Sequence, residues 1–449
     1  RVTRGSILAT LLGSPFKSHA GSRAPQDYHM LQNCVSHRIR TIAAVTFLCT
    51  MGSSLVAAEP SWPSWRGPHR DGISTEKGLL ASWPEDGPEL LWQVDDLGSG
   101  FSSISIADGR IFTMGQIRKP EPGAYLIALN LSDGSVLWKT RLGGGSPNST
   151  PTVDGDRVYA LDRNGHLACV STSNGNVLWE KDFSSDFGGK MMSGWGYSES
   201  PLVDGNHLIC TPGSEQAAIA ALDKMTGEVV WKTSATDLGG AAYSSVVVSN
   251  AGGVKQYVQL MGRGVISVDA SSGELLWSYK RVANGTANIP TPIVRGDYVF
   301  CSTGYGSGAA LLKVQPGAKD VEEVYFLKGK QLQNHHGGMI LLGDYLYCGH
   351  GHNSGLPICI EFATGDIVWG PTRGAGDGSA AVVFADGHLY FRYENGKVAL
   401  VEATPDEYRL KSEFKMATNN GKSWPHPVIA DGKLYLRDKQ SLLCYAIRK

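Results

Sequence analysis

The densest group of chemistry-bearing side chains is a set of four imidazoles: His335 and His336 after Asn334, and His350 and His352 around Gly351 and ahead of Asn353. Histidine is a nitrogen ligand of zinc and copper, and two or three of these rings could meet at such an ion. Alternation along a strand would send adjacent side chains apart, and no cluster of carboxylates or cysteines lies nearby, so hydrogen bonding to loop backbone is the competing role. Other catalytic constellations are missing. Ser198-Glu199-Ser200 sits close to Trp195 without a Gly-x-Ser-x-Gly elbow or a spaced His/Asp pair. Gly304, Gly306 and Gly308 imitate a phosphate loop, but a strand pattern follows, so no helix N-terminus is there to receive an anion. The sequence contains no Cys-x-x-Cys-His, which excludes attached haem c.

The elements that must position these residues announce themselves as a repeat. A polar turn with glycine, two aliphatics and a tryptophan recur, ending at Trp138, Trp179, Trp231, Trp277 and Trp369. A shorter copy ends at Trp92, and Tyr325 and Phe414 fill the two places where tryptophan is missing, so that successive aromatics stand 41 to 52 residues apart. Units of this length carrying four short strands cannot bury their faces alone and must stack radially. A second register agrees. Strand, glycine turn and strand recur at Gly109, Gly155, Gly205, Gly296, Gly343, Gly387 and Gly432, with a longer turn at Gly252 and Gly253. Asp-Gly and Gly-Asp between apolar runs are strong hairpin signals because the turn needs positive φ. Eight hairpins against eight aromatics predict an all-β fold, an eight-bladed β-propeller of four-stranded antiparallel blades. The last strand, Leu442 to Ile447, has no aromatic strand of its own, whereas Glu89 to Val94 has one with no strands before it. The two chain ends are therefore expected to complete one blade and close the ring, removing open edges.

Residues 1–58 read as an address. The apolar run from Thr41 to Val56 follows a basic stretch from His37 to Arg40 and ends in Val56-Ala57-Ala58, the small-residue pattern of a signal-peptidase site. Cleavage after Ala58, from a start at Met30, is expected. At roughly 16 residues the run falls short of the ~20 that a spanning helix needs, so a periplasmic or secreted protein with no stable membrane span is expected. Residues 59–88 then form an N-terminal extension, and 89–449 the propeller. After position 58 there are 35 basic and 41 acidic residues, a formal charge of about −6, without the clustered lysine and arginine of a nucleic-acid surface. The six cysteines in this region fall in predicted strands and read as small buried hydrophobes. Only Cys348 and Cys359 are placed where a disulfide is conceivable. Arg392 and Arg437 end the second strands of the last two blades, where an ion pair to a neighbouring blade is expected in preference to an anion-attracting channel mouth.

Within each unit, the segment after the tryptophan strand and the loop between second and third strands emerge at one end of the ring. That end carries the insert EKDFSSDFGGKMMSGWGYSES with Trp195 and Tyr197, the four histidines, Arg373 with Asp377, and Trp424 with His426, while the opposite turns are plain Asp-Gly or Thr-Gly. A ligand is expected at the looped end. The Gly-x-x-x-Trp repeat with its Asp-Gly hairpins resembles the pyrroloquinoline quinone (PQQ) repeat over residues 62–449, and SWPSWRGPHRDGIS and RVANGTANIPTPIVRGDYVF are similar to an exported bacterial PQQ-like subfamily. That family of eight-bladed propellers includes quinoprotein alcohol dehydrogenases and BamB, the propeller lipoprotein of the outer-membrane β-barrel assembly machinery. The resemblance implies two alternatives. Like BamB, the chain would be a monomeric, non-catalytic scaffold without cofactor that binds a protein, peptide or glycan on its looped face. Like the dehydrogenases, it would hold PQQ with calcium, with Trp195 or Trp424 stacking on the quinone and Tyr197 and His426 beside it. Asp377 would then be the base, Arg373 would face the quinone oxygens, and Asn288 or Glu215 would be among the metal ligands. Adjacent cysteines and the long insertions that roof the enzymes' pocket are both missing, which favours the first. The second requires Asp377, Asn288 and Glu215 to converge on one cavity.

Overall fold

A computed structural model describes residues 61–448; the expected signal peptide and cleavage after Ala58 lie outside the described residues. The strands sort into eight sheets, each a four-stranded antiparallel meander, as the repeat predicts. Blades 1 to 7 occupy 105–143, 152–182, 202–232, 247–279, 293–327, 340–369 and 380–415. Blade 8 combines Val428–Ala430, Lys433–Asp438 and Ser441–Ala446 with Leu90–Val94 from the other end of the chain, Trp92 lying opposite Cys444 and Gln93 opposite Leu443. The expected closure is thus present.

The repeat motif is a blade-to-blade lock. Four outer-strand tryptophans donate their indole N–H to a carbonyl of the next blade: Trp138 to Thr172 (3.1 Å), Trp179 to Lys224 (3.1 Å), Trp231 to Ala270 (3.2 Å) and Trp369 to Thr404 (3.0 Å), whereas Trp277 donates to Gln256 of its own blade (2.8 Å). Tyr325, where tryptophan is missing, also reaches the next blade, through its hydroxyl to Phe362 (2.8 Å). The motif glycine of the following blade lies beneath that ring. At Gly175, a Cβ would come within 2.8 Å of Trp138, and at Gly227 within 2.8 Å of Trp179. Both glycines also have φ near +75°, so two independent constraints select the same residue. Second and third strands are buried and supply most of each inter-blade core, whereas the aliphatic pair before most of the tryptophans, such as Val136 and Leu137, is exposed; Leu276 before Trp277 is the buried exception.

Two arginines fasten the last seams. Arg392 of blade 7 donates to the Ser423 carbonyl and hydroxyl and lies 3.7 Å from the buried Asp438 carboxylate of blade 8. Arg437 of blade 8 reaches the carbonyls of Leu97 (3.1 Å) and Gly98 (3.0 Å) at the approach to blade 1. Arg392 therefore fills the inter-blade role expected of it, and Arg437 does so through carbonyl oxygens. The six cysteines among the described residues are buried and free, Cys348 and Cys359 included.

The segment ahead of the first strand crosses the central channel. Trp62 exchanges two 2.9 Å backbone hydrogen bonds with Ile106 of blade 1, and the Pro63 carbonyl accepts from Val153 of blade 2 (2.7 Å). Arg70 donates to the carbonyls of Ser200 (2.6 Å) and Pro201 (3.0 Å) at the start of blade 3. Arg66 donates to Met339 beside blade 6. Ile73–Ser74 then pairs in parallel with the inner strand of blade 7, making that sheet five-stranded, and the Ser74 hydroxyl donates to Ile429 of blade 8. This stretch ties six of the eight blades together and divides the channel, leaving a cavity of about 370 Å³ on the looped side and one of about 770 Å³ on the other.

Candidate functional site

The smaller cavity is built from segments that lead into the inner strands. Its most continuous feature is an arc of rings. Phe101 stacks on Trp424 (4.4 Å between centroids), and Trp424 stacks on His336 (4.0 Å, 6° between planes). His336 meets His335 edge-on (3.9 Å), His335 meets His352 (4.3 Å), and His352 meets Tyr305 (4.3 Å). These six residues come from five separate loops, so the arc exists only in the closed ring.

Across from the arc stands Trp195, 58% exposed, on the long insert after blade 2. The insert is fixed although its tryptophan is solvent-facing. One helical turn, Phe183–Phe187, is capped by Asp182, whose side chain accepts from Ser185 N, and ends at Gly188 in the left-handed conformation. Asn148 Nδ2 then donates to the Trp195 carbonyl (3.2 Å), and Arg163 Nη2 to the Gly194 carbonyl (3.0 Å). Tyr197, expected beside a cofactor, instead packs edge-on against Phe183 and donates its hydroxyl to Pro212 (2.9 Å), anchoring the insert from beneath.

Burial keeps His335, His336 and His426 neutral. Desolvation lowers His335 to about 4 and His426 to about 3, and pushes His336 well below the ordinary histidine range. His352 and Lys422 reinforce the effect at His335 and His336. His335 shares hydrogen bonds with Ser379 (2.9 Å) and Tyr305 (3.3 Å), so both ring nitrogens are engaged. His426 Nε2 lies 3.2 Å from the His336 carbonyl. A carbonyl only accepts, so Nε2 carries the proton and Nδ1 is a lone pair, for which no partner exists among the described residues. His350 is set apart, with its Nδ1 accepting from Gln333 N (3.3 Å).

Of the residues singled out in the sequence, Trp195, Trp424, His426, His335, His336 and His352 do line one cavity. His350 and Tyr197 support it from behind. The other four are not brought to it. Asn288 is fully buried and spends its amide on the carbonyls of Met261 (3.0 Å) and Gly262 (3.0 Å). Glu215 is exposed on another loop. Asp377 is exposed and accepts from the Asn395 side chain (3.4 Å), with Arg373 exposed nearby in sequence. The convergence required of Asp377, Asn288 and Glu215 therefore does not occur: shared loop membership places residues at one end of the ring but does not set the direction of a side chain. Sequence reasoning missed Phe101, Tyr305, Tyr243, Arg163 and Lys422, and did not assign Trp65 or Arg66, from the segment across the channel, to the site. Tyr305 carried a signal: a non-glycine residue between two glycines, held here at φ 56°.

No aspartate or glutamate lines the cavity, while Arg66, Arg163 and Lys422 do. Calcium needs several converging oxygen ligands, usually with carboxylates among them. No group of three or more His, Cys, Asp or Glu side chains is placed to hold a metal ion among the described residues. The imidazoles pack ring against ring, edge-on or tilted, and both nitrogens of His335 are turned to Ser379 and Tyr305. PQQ with calcium thus does not fit the residues present.

Fold and site define a PQQ-like eight-bladed β-propeller with an aromatic, acid-free cavity at its looped end. The chain belongs to the family described as outer membrane protein assembly factor BamB, whose profile matches residues 76–168 and 123–371, together about two thirds of the sequence. The outer membrane protein assembly factor BamB of Shewanella oneidensis is 25% identical over 234 residues, covering 51% of this chain and 54% of that protein. The chain thus spans about half the length of the curated relatives it matches. Among solved structures, BamB from Moraxella catarrhalis superposes with a TM-score of 0.57 at 14% identity, covering 80% of this chain and 97% of that one. Quinohemoprotein alcohol dehydrogenase from Comamonas testosteroni superposes at 0.60 with 11% identity, covering 87% and 81%. Such low identities speak for the shared fold alone.

Proposed function

We propose that this chain is an exported, non-catalytic, BamB-like propeller that holds a ligand or partner group in the cavity at its looped end. One observation carries the reading: that cavity is walled by rings and bordered by cations, yet no carboxylate lines it to act as base or metal ligand. Family membership supports it, since most of the matched relatives are named as outer membrane protein assembly factors, with a tetrathionate hydrolase of Acidithiobacillus ferrooxidans, 24% identical over 263 residues, also among them. Signal-like residues 41–58 support export, and no helix among the described residues is long and apolar enough to cross a membrane.

The test is titration of the purified protein with PQQ and calcium, following tryptophan fluorescence together with dye-linked alcohol oxidation. No turnover is expected. In parallel, proteins and glycans of the exported fraction are captured on immobilised wild type and on a Trp195→Ala, Tyr305→Ala double variant, with loss of capture by the variant expected. Saturable quenching accompanied by turnover would make the protein a quinoprotein and end this reading, as would capture that ignores both cavity substitutions.

A further inference from the structure

Resting on that reading, the lining of the cavity narrows what it holds. Three features coincide. The first is charge: Arg66, Arg163 and Lys422 without a single acidic neighbour in the lining favour an anion. The second is shape: Trp195, 58% exposed, offers an aromatic face opposite an arc of packed rings, a surface suited to the flat apolar face of a ring-shaped ligand. The third is hydrogen-bonding polarity. His426 lines the cavity, is only 9% exposed, and keeps an unpartnered Nδ1 lone pair. Gly338 beside it carries no side chain, and a Cβ there would stand 3.3 Å from that nitrogen. A buried acceptor left alone costs free energy unless a donor reaches it, and sulfate or a simple aromatic carboxylate brings none. The Thr150 and Thr291 hydroxyls, which accept from the Ser103 and Ser245 backbone, keep their own protons as donors, and the Ser103 and Ser198 oxygens, which donate to His426 and Gly196 carbonyls, remain acceptors. A volume of about 370 Å³ lies in the lower part of the roughly 300–1,000 Å³ spanned by small-ligand sites.

We infer that the cavity binds an acidic sugar, a hexuronic acid unit of an oligosaccharide, with its carboxylate met by Arg163 and Lys422, its apolar ring face on the aromatic lining, and a hydroxyl donating to His426. Of the ligand classes named for the looped face, this selects the glycan and adds a negative charge.

Isothermal titration of the purified protein with a galacturonic acid trimer, its methyl ester and a neutral galactose trimer decides the matter, with adenosine monophosphate as a flat anion that is not a uronic acid. The acid should bind about tenfold or more tightly than the ester and the neutral trimer, as loss of a charge-assisted pair predicts, and its affinity should fall as salt rises. Lys422→Gln, at an exposed position, should weaken the acid several-fold and leave the neutral trimer unchanged. Trp195→Ala should weaken both. Equal binding of acid and neutral trimers, or preference for the nucleotide, would overturn the inference. So would failure of every saccharide while the double variant still loses an exported protein partner, an outcome that leaves the proposed function standing.

Discussion

At Gly227 the backbone has φ 75°, and a Cβ would come within 2.8 Å of the Trp179 ring, so the glycine of the repeat answers to its neighbour's tryptophan as well as to its own turn. Gly227→Ala should cost about 2 kcal/mol from left-handed strain and overpacking together, read as a lower thermal midpoint with altered tryptophan emission. Protonation at single residues gives a second prediction. His335 and His426, lowered to about 4 and 3 by burial, stay neutral in the fold while an unfolded histidine takes up a proton near pH 6.5. Their contribution to stability is therefore intact above pH 6.5 and lost as pH falls towards 4. Glu199 works in the opposite direction. Desolvation raises it to about 7, despite hydrogen bonds from Thr211 and the nearby Arg70, so its contribution is full below about pH 4.5 and lost as pH rises through 7. Glu199→Gln should accordingly raise the thermal midpoint at pH 8 and leave it nearly unchanged at pH 4.5; equal shifts at both would refute the assignment. At this scale the sequence exposed the lock glycines, whose spacing from tryptophan is fixed, but not the aim of Asn288 or Asp377, because a loop's location does not determine which way its side chains turn.

The elements that hold the ring fall into two kinds, and only one was legible. Strands and hairpins follow from a turn that demands positive φ and an aromatic that must be covered, so their number and order could be read before any coordinates. Residues 62–74 have no period, no alternation and only a two-residue strand, and their path across six blades is set by single backbone pairings that no local pattern encodes. The seams combine both cases: Arg392 was visible as a charged residue at a strand end, while its partner Asp438 was not. Replacing Arg392 with Met leaves the buried Asp438 carboxylate without its cation and should cost about 3 kcal/mol. Hydrogen exchange should then speed up first in the 423–438 region, at the seam between blades 7 and 8. Uniform acceleration across all blades would show that this seam is not specially dependent on the pair.

For the whole molecule, closure is a property of both chain ends at once. Leu443 lies in the third strand of blade 8, with Leu436 opposite on one side and Gln93 on the other, so Leu443→Pro breaks a ladder between two strands. The expected outcome is failure of the ring as a unit, seen as loss of the monodisperse peak in size-exclusion chromatography, since an opened blade presents unpaired edges. Retention of that peak would mean that the closing strand is dispensable. The stretch from Trp62 to Ser74 has a different consequence. Because it bars the axis, the ring is a cup and not a tube: nothing long can be threaded through, and whatever is held must come in and go out by the same rim. A polymer meeting such a cup can seat one unit at a time, from its tip or from a bend laid over the rim, so the molecule would be blind to chain length.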